Sequence, residues 1–142
     1  MSELRPAILA TLAFYDALSM PLTSREVYRF LINPARISHM PQGLGEIRIQ
    51  DIEKELSYCV QNRLIIERGG YYMLAHRGAL YDVRNQHLNI AEIKWKKFLR
   101  IARWLPLAPF VEALFASGSM AMDNTDSESD FDVLVVARAG RL

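Results

Sequence analysis

Two aspartates, Asp130 and Asp132, occupy alternate positions directly before the apolar run 133–136. Because alternate residues of a β-strand point to the same side, the two carboxylates should project together from the start of a strand. Oxygen ligands suit Mg²⁺, which usually takes one or two protein carboxylates and completes its coordination with phosphates and water. The pair therefore predicts a site for a divalent cation.

A turn of small residues, Ser117-Gly118-Ser119, lies upstream of this pair. It follows the apolar run 110–116, which predicts a buried strand, and it leads into a short helix. The free N–H groups at a helix start attract phosphate. Gly118 lets a ligand approach the backbone closely, and Ser119 adds a hydroxyl donor. The turn therefore predicts a phosphate-binding segment.

The tail resembles the DNA polymerase β-like nucleotidyltransferase superfamily in two segments, Phe115-Ala116-Ser117-Gly118-Ser119-Met120-Ala121 and Ser129-Asp130-Phe131-Asp132-Val133-Leu134-Val135. The resemblance implies that Gly118 and Ser119 hold a nucleoside triphosphate. It also implies that Asp130 and Asp132 are catalytic and coordinate Mg²⁺ or Mn²⁺. The implied chemistry is in-line transfer of a nucleoside monophosphate to an acceptor hydroxyl.

The sequence departs from the family pattern at two points. Many members have glycine at the position of Asp123, in the polar loop 123–129 that Asn124 and Ser129 should shape by local hydrogen bonds. The family also uses a third carboxylate from a later strand, and residues 133–142 contain no acidic residue. Glu112 lies before the Gly-Ser turn, where the family has no metal ligand, and is interpreted as an ordinary strand residue.

These departures predict a fragment or truncated form of a nucleotidyltransferase that is inactive alone. An apolar strand left uncovered in such a fragment should favour homo-oligomers or aggregation. The sequence thus leaves the enzyme assignment open, and it names neither the nucleotide nor the acceptor.

The first part of the chain predicts a different domain. Apolar residues recur at helical spacing from Leu4, Thr23-Ser24-Arg25-Glu26 fits a capping box, and a third helix should begin near Gln50. The stretch 33–45, with two prolines and two glycines, predicts a loop. Two β-rich runs around Gly69-Gly70 predict a hairpin. Three helices followed by a hairpin resemble a winged helix-turn-helix domain.

The domain prediction is therefore α+β, in three parts. A winged helix-turn-helix domain covers residues 1–75, a long connecting helix 76–104, and an incomplete nucleotidyltransferase domain 105–142, beginning with its first strand-helix-strand portion. The Pro-rich segment 105–109 marks the last boundary.

Contact with nucleic acid is one of two interpretations of the basic residues. The face of the third helix is mixed in sign, which favours a structural or protein-contact role over phosphate attraction. The alternative assigns nucleic-acid contact to residues near the wing and to the basic end of the long helix: Arg63, Arg68, Lys96, Arg100 and Arg103. A basic helix end also complements the helix dipole without any ligand. Ile90, Ile93, Leu99 and Ile101 are the predicted buried residues of that helix.

Composition narrows the class of protein. The chain has 142 residues, 51% hydrophobic and 23% charged, as expected of a globular protein. Residues 1–104 carry 15 Lys+Arg against 10 Asp+Glu, and residues 105–142 carry 2 against 6. One cysteine, Cys59, cannot form an internal disulfide and should lie in the core, and no apolar stretch is long enough for a membrane span. These features favour a cytoplasmic protein.

The three histidines are widely separated and lack metal-ligand spacing, which favours surface or capping roles: His39, His76 and His87.

Two hypotheses result. The first is the N-terminal portion of a metal-dependent nucleotidyltransferase. The second is a non-enzymatic winged-helix module that contacts nucleic acid or protein and carries a vestigial tail.

Overall fold

Helices and short antiparallel strands both contribute to the fold, which is α+β as the sequence predicts. The computed structural model describes residues 4–32, 47–104, 107–108 and 110–140. The chain divides into two compact units, Met1–Val83 and Arg84–Leu142. This division falls inside the long helix, whereas the sequence analysis placed its domain boundaries at either end of that helix.

The helices of the first unit begin where the sequence signals place them. They are α1 (Leu4–Ala17), α2 (Ser24–Arg29) and α3 (Ile49–Gln61). The capping box at α2 is confirmed: Glu26 N–H donates to the Thr23 hydroxyl at 3.2 Å, and Thr23 N–H donates to the Glu26 carboxylate at 2.8 Å. At the start of α3, Arg48 N–H donates to the Asp51 carboxylate at 2.9 Å. The predicted loop 33–45 lies outside the described residues.

A three-stranded antiparallel sheet completes this unit. Its strands are β1 (Leu22–Thr23), β2 (Ile65–Arg68) and β3 (Tyr71–Leu74), in the order β1-β3-β2. The predicted hairpin is confirmed, with Gly69 and Gly70 both at positive φ, 60° and 84°. At Gly69 a Cβ atom would also collide with the Tyr81 ring, so this turn requires glycine.

The core of the first unit is apolar and closed. Its members come from all three helices and from the sheet, and they are at most 2% exposed: Ile8, Leu12, Met20, Leu22, Val27, Ile52, Leu56, Cys59, Ile65 and Met73. One polar residue is buried with them. The Thr11 hydroxyl donates to the Ala7 carbonyl at 2.7 Å and accepts from Ile32 N–H at 2.9 Å, so its hydrogen-bonding capacity is used.

The second unit contains most of α4 (Leu80–Ala102), followed by β4 (Val111–Ala116), α5 (Gly118–Ala121) and β5 (Val133–Ala137). Helix α4 begins four residues later than predicted, because hydrogen-bonded turns occupy the stretch before it.

Three of the four residues predicted to be buried on α4 are exposed, at 60–68%: Ile93, Leu99 and Ile101. The fourth, Ile90, is half-buried. The helix buries Ala91 and Phe98 instead.

Strands β4 and β5 pair as an antiparallel ribbon, with Ala116 opposite Val133 and Leu114 opposite Val135. The sequence predicted a buried strand over 110–116. The strand is confirmed as β4, but its predicted burial is wrong, since Phe110 and Phe115 are 45% and 54% exposed. An apolar run predicts a strand equally well whether or not its faces are covered. The boundary segment 105–109 lies largely outside the described residues.

None of the helices in the described part of the chain combines the length and the apolarity that a bilayer crossing requires.

Candidate functional site

The pairing of β4 with β5 brings the Gly-Ser turn next to the acidic pair. The turn follows the last residue of β4, and the acidic pair precedes the first residue of β5. Since the two strands run antiparallel, these ends lie side by side. Ser117 N–H donates to the Asp132 carbonyl at 2.8 Å and extends the pairing by one bond.

Gly118 and the side chain of Asp132 fit directly against each other. Gly118 has a φ of +62°, in the left-handed region. A Cβ atom at this position would occupy the place of the Asp132 carboxylate. A larger residue at this position would therefore meet both an unfavourable backbone conformation and a carboxylate that would have to move.

The donor set fits one Mg²⁺ or Mn²⁺ ion better than two. Asp130 and Asp132 are both exposed, and Ser119 is half-buried. Two carboxylates that open to solvent suit Mg²⁺, which keeps several water or phosphate ligands. Among the described residues, no group of three or more His, Cys, Asp or Glu side chains could hold a metal. A third protein carboxylate at this site is therefore absent from the described part of the chain.

The loop between α5 and the acidic pair is organised around Asp126. Its carboxylate accepts from the Ser129 N–H at 2.7 Å, the Ser129 hydroxyl at 2.8 Å and the Glu128 N–H at 2.9 Å. The Ser129 hydroxyl, followed by the two backbone N–H groups, lowers the pKa of Asp126. The predicted role of Ser129 in shaping the loop is confirmed, but the sequence analysis missed Asp126 as its partner.

Asp123 adopts a left-handed backbone conformation of the kind that glycine adopts most readily. Asp123 has a φ of +50°, which aspartate tolerates better than most residues. Its carboxylate accepts a hydrogen bond from the Trp95 indole N–H at 2.9 Å. The aspartate side chain therefore gives the loop a contact with α4 that a glycine would lack.

Further polar side chains of α4 hold the same loop. The Arg84 guanidinium, 3% exposed, donates to the Met122 and Asp123 carbonyls at 3.2 and 3.1 Å. His87 Nδ1 and Asn124 Oδ1 are 2.9 Å apart. The Lys94 ammonium donates to the Thr125 hydroxyl at 3.1 Å and to the Ser129 carbonyl.

The sequence did not predict these α4 contacts, because the inward face of the helix was expected to be apolar. The inward face follows helical spacing but is mainly polar: Arg84, His87, Ala91, Lys94 and Phe98. A polar stripe with this period was the available signal. His87, predicted to have a surface or capping role, is half-buried, and its ring contacts the loop through Asn124.

The five residues proposed for nucleic-acid contact differ in their partners and their exposure. Arg68 pairs with Asp82 at 3.1 Å and lies over the Tyr81 ring, and Lys96 pairs with Glu92 at 2.6 Å. Arg63 forms part of the turn after α3. Arg100 and Arg103 are exposed near the end of α4. Two of the five thus already have partners within their own unit.

The sequence predicts structural rather than functional roles for Glu112 and Cys59, and their contacts agree with those roles. Glu112 pairs across the ribbon with Arg138 at 3.3 Å. Cys59 is fully buried, as predicted, and burial raises the pKa of its thiol, which disfavours the reactive thiolate.

Comparisons of the chain with family models, with curated proteins and with solved structures find no match.

Proposed function

We propose that residues 84–142 carry the nucleotide- and metal-binding half-site of a nucleotidyltransferase that transfers a nucleoside monophosphate to an acceptor. The observation that carries the proposal is the fit of the Asp132 carboxylate against Gly118. Two motifs that are separated in sequence are thereby brought together, in an order similar to that of the polymerase β-like superfamily.

Each residue of the half-site has a chemical role. Asp130 and Asp132 hold the divalent cation through carboxylate oxygens. The Gly118 backbone and the Ser119 hydroxyl contact the triphosphate. A bound Mg²⁺ or Mn²⁺ supplies charge neutralisation and alignment of the phosphates. A second metal needs a third carboxylate, so we expect the chain by itself to bind nucleotide without transferring it.

The architecture around this half-site supports finer proposals on the fold. The described part of residues 4–75 contains three helices and a hairpin, in the element order of a winged helix-turn-helix domain. The strand, short helix and strand of residues 111–137 have the order that begins a nucleotidyltransferase fold. The exposed apolar residues of β4 and β5 also fit the predicted self-association through an uncovered strand, which stays a prediction.

A non-enzymatic winged-helix module is the second candidate, and the charge of the first unit favours a protein partner for it. Residues 1–83 carry nine Lys+Arg against nine Asp+Glu. A domain that binds nucleic acid mainly through phosphates needs an excess of positive charge. The basic excess of the N-terminal 104 residues comes instead from residues 84–104, which carry six Lys+Arg against one Asp+Glu.

Titration of Mn²⁺ in the presence of ATP, followed by electron paramagnetic resonance, tests the proposed site. We expect Asp130→Asn/Asp132→Asn to weaken Mn²⁺-ATP binding by more than about 100-fold, beyond the loss typical of outer-shell substitutions. Glu128→Gln is the matched control, because this exposed carboxylate lies in the same loop and outside the acidic pair.

Circular dichroism of each variant verifies that folding is retained. Equal Mn²⁺-ATP affinity in the wild type and the double variant would contradict the proposal, as would the absence of binding in the wild type. Either result would leave the winged-helix module as the explanation.

A further inference from the structure

Lys94 directs its ammonium group into the loop that ends at the acidic pair. The side chain is half-buried, and it donates to the Thr125 hydroxyl and the Ser129 carbonyl. Thr125 is fully buried. A lysine that is removed from solvent in this way loses hydration and side-chain freedom, which the two hydrogen bonds offset.

The two partners of Lys94 nearest the acidic pair lie on either side of Asp130. Ser129 precedes Asp130, and its carbonyl belongs to the peptide group that joins the two residues. Phe131 follows Asp130, and its ring centroid is 5.8 Å from the Lys94 ammonium, within cation–π range. One side chain therefore restrains the backbone before Asp130 and the ring after it.

Neighbouring lysines of α4 do not share this arrangement. Lys97 is exposed and contacts the Phe131 ring alone, at 5.6 Å. Lys96 is exposed and pairs with Glu92 on its own helix. Of these three lysines, Lys94 is thus the one with recorded contacts to both residues that flank Asp130, Ser129 and Phe131.

We propose that Lys94, held in place by the Thr125 hydroxyl, is a positioning residue for the metal-binding aspartates and acts through the Ser129 carbonyl and the Phe131 ring. This inference rests on the proposed function. Outer-shell groups that orient metal ligands contribute to metal affinity although they never touch the ion.

The decisive comparison is Lys94→Met against Lys96→Met, with Mn²⁺ alone and Mn²⁺-ATP as probes. Methionine retains most of the side-chain length and removes the ammonium. We expect Lys94→Met to weaken Mn²⁺ affinity by about 10–100-fold and to change the electron paramagnetic resonance spectrum of the bound ion. Lys96→Met should match the wild type in both. Equal Mn²⁺ affinity in the two variants would overturn the proposal.

Chemical rescue separates positioning from a general structural role. Alkylation of Lys94→Cys with 2-bromoethylamine restores an ammonium at nearly the original distance, whereas 2-bromoethanol adds a neutral side chain; the native Cys59 is fully buried. We expect the ammonium product alone to regain wild-type Mn²⁺ affinity. Equal affinity of the two alkylated products would count against Lys94.

Thr125→Val provides a second test if Lys94→Met fails to fold. It removes the hydroxyl that Lys94 contacts and preserves the volume of the side chain. We expect a weaker loss of Mn²⁺ affinity, several-fold in size, and non-additivity when both substitutions are combined. Unchanged Mn²⁺ affinity in Thr125→Val would overturn the inference.

Mn²⁺ binding by the wild type and by Asp130→Asn/Asp132→Asn shows whether the metal site or the role of Lys94 is wrong. If Asp130→Asn/Asp132→Asn binds Mn²⁺ as the wild type does, the metal site itself is wrong. If only the aspartate variants lose binding, the site is correct and the role of Lys94 is wrong.

Discussion

The two units of the chain are stabilised by different interactions. In Met1–Val83, apolar side chains from helices and sheet form a closed core. In Arg84–Leu142, the buried apolar residues are few, and much of the ribbon is exposed: Phe115, Val133, Leu134, Val135 and Val136 are each 39–60% accessible. Polar side chains of α4 hold the loop of this second unit through hydrogen bonds.

This difference shows how the candidate site is placed. Hydrophobic burial is non-directional, so it brings elements together without fixing individual atoms. Hydrogen bonds from Arg84, Lys94 and Trp95 are directional and define the path of the loop that leads to Asp130. The unit with fewer described buried apolar residues thus contains a loop that directional hydrogen bonds hold in place.

The largest expected effect is the difference in lost unfolding free energy between two leucine-to-alanine substitutions, one in each unit. Leu56 is fully buried, so Leu56→Ala should lower the free energy of unfolding of the first unit by about 2–5 kcal/mol. Leu134 is 60% exposed, and Leu134→Ala should change that of the second unit by less than about 0.5 kcal/mol. Amide hydrogen exchange of each unit measures both values. Equal losses would mean that the contrast between the cores is wrong.

Two glycine-to-alanine substitutions in the second unit separate the cost of a left-handed backbone from the cost of a collision with Asp132. Gly118→Ala combines a left-handed backbone, which costs about 1–2 kcal/mol, with a collision against Asp132, and should also abolish most Mn²⁺ binding. Gly140, at a φ of 76°, has open space around it, so Gly140→Ala isolates the backbone cost. Thermal unfolding and Mn²⁺ titration of both variants test this. Retained Mn²⁺ affinity in Gly118→Ala would contradict the described fit.

The smallest effect concerns the acid stability of the loop. The pKa of Asp126 is lowered in the folded chain, so the carboxylate stabilises the loop above its unfolded pKa. This contribution is lost as the pH falls through the folded value, below about 4. We expect amide exchange at Glu128 and Ser129 to accelerate in that range, and Asp126→Asn to remove the pH dependence. A carboxyl pKa of Asp126 at or above the ordinary value, measured by NMR, would contradict this prediction.

Local signals predicted the first unit well. The capping box at Thr23 and the hairpin around Gly69 depend on neighbouring residues, so sequence alone specifies them. The apolar run after Asp132 likewise predicted strand β5 from neighbouring residues alone. The family resemblance implied only that Gly118 and Asp132 belong to one binding site. Their contact comes from the structure, in which β4 and β5 pair antiparallel and a Cβ atom on Gly118 would overlap the Asp132 carboxylate.

The roles of α4 could not be predicted from local pattern. Its isoleucines and leucines suggested a buried face, but the helix turns Arg84, His87 and Lys94 toward a loop about 30–40 residues downstream. Their partners are backbone carbonyls and small polar side chains, which have no distinctive sequence pattern. Only the tertiary structure shows why these polar residues face inward.

Because Trp95 donates a hydrogen bond to Asp123, its intrinsic fluorescence reports on the loop of the second unit. Both tryptophans belong to this unit and all six tyrosines to the first, so selective excitation of indole observes the second unit alone. Trp95 is half-buried and touches the loop, whereas Trp104 is 64% exposed. A soluble quencher suppresses emission from Trp104 preferentially, and the remaining emission follows the loop as ligands bind.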